Sequence, residues 1–122
     1  MANKRVVVTG LGAITPVGNT LGEFWEGLKA GKSGAATITQ FDPADHKVRF
    51  ACEVKNYDPL AHFERKDARR YERFIQYAII AAREAIEHSG LDLKTEDLDQ
   101  VGVIVGSGIG GLSIMEEQSA VL

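Results

Sequence analysis

The chain of 122 residues reads as an α/β fold with helices packed against a sheet. Three observations predict this. Two short runs of branched apolar residues, at 6–8 and at 101–105 (interrupted only by Gly102), have the composition of strands buried on both faces. Each run enters a glycine-rich loop, and each loop leads into helical spacing. Between them, residues 64–89 carry apolar side chains at helical intervals.

Taken in order, residues 4–9 (KRVVVT) form the first predicted strand, centred on Val6, Val7 and Val8. Gly10, Gly12 and Gly18 punctuate the loop that follows, and Pro16 keeps it out of a helix. That loop resembles the phosphate-holding TGxxxGxG opening of a short-chain reductase. Its spacing departs from that pattern, because Thr15, Pro16 and Val17 precede Gly18. Thr20 and Glu23 then fit a capping box, followed by an apolar stripe of Leu21, Phe24, Trp25 and Leu28, with Gly31 as the stop. The Phe24–Trp25 pair is expected in the core.

The pattern loosens over residues 32–59. Within it Val48, Phe50, Cys52 and Val54 alternate with polar neighbours, which suggests a half-buried strand and a buried, inert thiol at Cys52. His46, His62 and His88 lack metal-ligand spacing and are expected at the surface. Residues 64–73 (ERKDARRYER) then carry five basic against three acidic side chains. They open a predicted long helix with an apolar stripe of Tyr71, Phe74, Ile75, Ala78, Ala82, Ala85 and Ile86, closed by Ser89 and Gly90. Cations near a helix N-terminus oppose its dipole by about 0.3–1 kcal/mol each. This basic stretch is either a solvated face or a docking site for an acidic partner.

An acidic connector, residues 91–100, leads to the second apolar run and to Gly106-Ser107-Gly108-Ile109-Gly110-Gly111. That loop satisfies G-x-G-x-x-G after a predicted strand, the pattern that seats a dinucleotide pyrophosphate. The other reading is glycine for close strand–helix packing. On spacing alone both stand.

The totals narrow the class. A net charge of −3 argues against a nucleic-acid binder, and a single cysteine excludes an internal disulfide, which makes a cytoplasmic setting the expectation. No apolar stretch approaches the roughly 20 residues of a membrane span, and the N-terminal apolar run is too short for a signal peptide.

Three motifs in order make the chain recognisable: RVVVTGLGAITPVGN at the start, FIQYA in the long helix, and GSGIGG after the second apolar run. Together they resemble the elongating β-ketoacyl-acyl-carrier-protein synthases of type II, from the first predicted strand to the last residue. The resemblance implies a thiolase-like fold, of which residues 1–122 are part of the N-terminal half, a mixed sheet covered by helices. It implies a homodimer that condenses malonyl-acyl-carrier protein with an acyl thioester, with no cofactor and no metal. The family's nucleophilic cysteine, two histidines and lysine match nothing in this chain, so these residues alone are not expected to be active. The resemblance places Lys66, Arg69 and Arg70 on the stretch that meets the acidic carrier protein, and Ile109 on the isoleucine that gates the acyl pocket. Two alternatives remain: a nucleotide-binding domain using GSGIGG, and a carrier-binding piece without catalysis.

Overall fold

The computed structural model describes residues 4–121. In order it contains helix α1 (Leu21–Lys29), strands β1 (Ala36–Thr37) and β2 (Phe50–Ala51), and helices α2 (Arg65–Arg70), α3 (Arg73–Ser89) and α4 (Leu112–Ser119). Single 3-10 turns span Pro59–Ala61 and Leu98–Gln100. The strands pair antiparallel, Ala36 opposite Ala51 and Thr37 opposite Phe50. No described helix is long and apolar enough to cross a membrane.

Helix α1 begins as its sequence dictates. The Thr20 hydroxyl accepts from the Glu23 amide at 3.2 Å, and the Glu23 carboxylate reaches back to accept from Asn19 N–H at 2.8 Å. Left-handed Gly31 and Gly90 follow the ends of α1 and α3, as their positions predict. Trp25, expected in the core, is 58% exposed.

The predicted mixed sheet is not formed among the described residues. Residues 4–9 and 101–105 belong to no strand, and their side chains are exposed, Val6 at 95% and Ile104 at 99%. A strand takes its stability from a ladder to a neighbour, and no described segment supplies one to either run. The accessible surface reflects this. It is 10247 Å², whereas a compact monomer of 13.2 kDa exposes about 6,400 Å².

The alternation around Cys52 is also out of phase. Val48, Phe50 and Cys52 are exposed, Ala51 and Glu53 of the polar phase are partly covered, and only Val54 of the predicted apolar set is partly covered with them. Pairing is limited to Phe50–Ala51, so no covered face forms to take the apolar residues. His46, His62 and His88 lie exposed, as expected.

The predicted long helix is two helices. Its chain direction breaks at Tyr71, whose backbone is extended (φ −88°, ψ 128°), and at Glu72 (φ −67°, ψ 160°). The inward positions of α3 are Gln76 and Ile80, one turn apart, neither of them on the predicted stripe. Against this helix lies the first glycine loop. A Cβ at Gly10 would overlap the Ala85 carbonyl oxygen, and one at Gly12 that of Ala81. Glu84 holds the same loop at both ends, accepting from Ala13 N–H at 2.8 Å and from Leu21 N–H at 2.7 Å. The second of these amides is the first of α1, so a carboxylate sits at a helix N-terminus where its charge is favourable.

Candidate functional site

The break at Tyr71 reassigns the charges of the basic stretch. Arg69 and Arg70 occupy the last turn of α2, where cations complement the helix dipole rather than oppose it. The dipole penalty anticipated for a helix running on to Ser89 therefore does not arise for these two residues. What remains is their arrangement. Arg65, Lys66, Arg69 and Arg70 are one helical turn apart in pairs, all exposed, and line one open depression of about 430 Å³. Glu64 and Asp67 line a different depression, beside His62, Phe63 and Arg83. Helix α2 thus sorts its charges, with cations on one side and carboxylates on the other.

None of these four cations is ion-paired among the described residues, where the single salt bridge is Lys29–Glu26 at 2.7 Å. Arg70 lies over the Tyr71 ring at 5.6 Å, which orients its guanidinium without neutralising it. Lys66, Arg69 and Arg70, the three predicted docking residues, are therefore brought together on one charged surface.

Beneath α2 the chain is knit by aromatic rings. Phe63 meets Tyr71 edge-on at 6.0 Å, and Tyr57 meets Tyr77 at 5.1 Å. Arg73 covers the Tyr57 ring at 5.2 Å, and Arg83 covers Phe63 at 5.4 Å. Burial raises the Tyr57 hydroxyl above its ordinary pKa, and the neighbouring Tyr77 adds to the effect. That hydroxyl donates to Gln76 Oε1 at 2.6 Å. Gln76 is 3% exposed, and its Nε2 donates to the carbonyls of Ala68 at 3.0 Å and Tyr71 at 2.6 Å. Sequence reasoning passed over Gln76. Its signal was a polar residue inside the apolar run FIQYAII, one turn before Ile80.

The second glycine loop has a different surrounding. Gly106 and Gly108 face open space, whereas left-handed Gly110 and Gly111 lie against the Phe74 ring and the Glu72 carboxylate. Gly111 is the N-cap of α4. The Glu72 carboxylate beside Gly111 puts a negative charge near that helix start, which disfavours a pyrophosphate there. Ile109 is 72% exposed and lies away from the α2 depression. The other glycine loop spends Gly10 and Gly12 on close contact with α3.

The family model for the beta-ketoacyl synthase N-terminal domain matches residues 3–121. The chain belongs to this family. Its relatives include the 3-oxoacyl-[acyl-carrier-protein] synthase 2 of Synechocystis sp., 47% identical over 100% of this chain and 30% of its own length. The synthase 2 of Vibrio cholerae is 47% identical over 95% of the chain and 28% of its own length. That of Staphylococcus aureus is 46% identical over 93% of the chain and 28% of its own length. Among solved structures, the ishigamide ketosynthase/chain length factor superposes with a TM-score of 0.65 at 40% identity, covering 76% of this chain and 23% of that one. The fold is thiolase-like. The chain spans about 30% of the length of the curated relatives it matches.

Proposed function

We propose that residues 1–122 form the N-terminal part of a condensing-enzyme domain, in a 3-oxoacyl-acyl-carrier-protein synthase of fatty-acid biosynthesis. The observation that carries this is the match to synthase 2 relatives over the whole chain. The reaction joins two thioesters. An acyl group held on a cysteine thiol meets malonyl-acyl-carrier protein, whose carboxylate leaves as carbon dioxide. The carbanion attacks the acyl carbonyl, the bond to the cysteine sulfur breaks, and a 3-oxoacyl chain two carbons longer remains on the carrier. The cysteine and histidines of that chemistry match no residue of this chain, so its own contribution is recognition.

Lys66, Arg69 and Arg70 are the carrier-protein docking residues in this reading. Exposed cations without an ion-pair partner among the described residues raise the encounter rate with an acidic protein and select its orientation. Ile109 is the acyl-pocket gate, a branched side chain between glycines that leave its backbone free to rotate. The complete protein works as a soluble cytoplasmic homodimer without cofactor. The test is condensation by the full-length protein given acyl- and malonyl-carrier protein. Formation of the 3-oxoacyl product is expected. Carrier binding without turnover would leave only a binding function, and failure of both would sink the proposal.

A further inference from the structure

The one buried polar side chain among the described residues belongs to no part of the surface just assigned. Gln76 points from α3 towards the end of α2 and joins three pieces of chain. Its amide nitrogen donates to the carbonyls of Ala68 and Tyr71, and its amide oxygen accepts from the Tyr57 hydroxyl. The two carbonyls bracket Arg69 and Arg70. Helix α2 has only six residues, too few to persist on its own intrahelical bonds, and helix ends leave their last carbonyls unpaired. Gln76 supplies donors where α2 lacks them. Glutamine is the side chain with the right inventory, two N–H donors and one acceptor. A glutamate would set an oxygen against two carbonyl oxygens, and an apolar residue would leave all three partners without a bond.

We propose that Gln76 is a positioning residue for carrier-protein docking: it locks the end of α2 so that Arg69 and Arg70 are presented in a fixed geometry. This rests on the docking reading of the basic face. Without the lock the charges remain, so long-range attraction survives, but each arginine must be ordered when the partner arrives. That ordering raises the cost of binding without touching the reacting groups.

The test uses the full-length synthase with three variants and two substrate forms. Gln76→Met removes the polar group at similar volume, Tyr57→Phe removes only the hydroxyl, and the double variant R69E/R70E tests the docking face itself. Each is assayed with carrier-borne thioesters and with thioesters of a small thiol, which bypass docking. For Gln76→Met the expected result is a KM for carrier-borne substrate raised about five- to tenfold. Its kcat with the small thioesters stays within twofold, and the salt dependence of carrier binding stays unchanged. Tyr57→Phe moves KM in the same direction by less, and it decides the matter if Gln76→Met does not fold. Equal losses on both substrate forms would reduce Gln76 to a general stabiliser and overturn the proposal. So would wild-type KM in Gln76→Met while R69E/R70E is impaired, which leaves the docking reading intact. Unchanged KM in R69E/R70E would overturn the docking reading and this inference with it.

Discussion

Replacing Glu84 with alanine removes both acceptors that hold the first glycine loop, the oxygens bonded to the amides of Ala13 and Leu21 at 2.8 and 2.7 Å. A hydrogen bond to a charged group is worth about 1.5–3 kcal/mol net. Both amides are only half-buried, so water replaces part of the loss, and about 2–3 kcal/mol for the pair is the reasonable figure. With 1.4 kcal/mol per factor of ten, exchange of those two amides with solvent should accelerate about 30- to 150-fold. The assay is residue-resolved hydrogen exchange on the full-length protein. Glu84→Gln sharpens it, because the side-chain amide keeps one oxygen and turns an N–H₂ towards the other donor. One of the two amides should stay protected and the other should not. A change below threefold in Glu84→Ala would refute the clamp. An acceleration spread evenly along α1 and α3 would show a global effect in place of a local one.

Other consequences are equally open to measurement. Arg69 and Arg70 both replaced by glutamate should weaken carrier-protein binding and flatten its dependence on ionic strength, since fewer opposite charges remain to be screened; isothermal titration at two salt concentrations that gave wild-type values would remove the docking assignment. Ile109→Phe should lower turnover of long acyl chains more than of short ones, and equal losses across chain lengths would argue against a gate. For Tyr57, the folded pKa lies above the ordinary value of 10.0, first because the hydroxyl is buried and then because of Tyr77. Its protonated form therefore contributes stability at and below that ordinary value, and the contribution fades as pH rises through the higher folded value. The stability gap between wild type and Tyr57→Phe should narrow as pH climbs beyond about 10. A gap that stays constant through that range would mean the hydroxyl titrates as it does in the unfolded chain.

What could be read from the residues divides by distance along the chain. Helix α1 was legible because its start is a contact between residues three apart, Thr20 and Glu23, and its stop is a glycine. The end of α3 at Gly90 was legible for the same reason. The break at Tyr71 was not. No glycine or proline marks it, and the group that takes over the freed carbonyls, the amide of Gln76, lies five and eight residues away. Missing the break inverted the electrostatic argument, since it left Arg69 and Arg70 near the wrong end of a helix. The apolar runs at 6–8 and 101–105 carry a burial signal but not the identity of what buries them, because a strand's partners can lie anywhere in sequence. Cys52 shows the converse error. An alternating pattern fixes a face only where a ladder forms, and here the ladder stops at Ala51. Arg65, Lys66, Arg69 and Arg70 line one depression because cations at helical spacing share a side whichever helix holds them.

The two exposed apolar runs also carry a hazard. Val6 and Ile104 stand almost fully in water, with no ladder partner among the described residues, the condition in which extended segments recruit one another. Charge guards each run on its N-terminal side: Lys4 and Arg5 precede the valines, and Asp97 and Asp99 precede Val101. Such flanking charges make intermolecular stacking of like segments repulsive, and they act before any fold exists. Neutralising Lys4 and Arg5 would therefore change how much of the protein survives its own synthesis, with little effect on the finished structure.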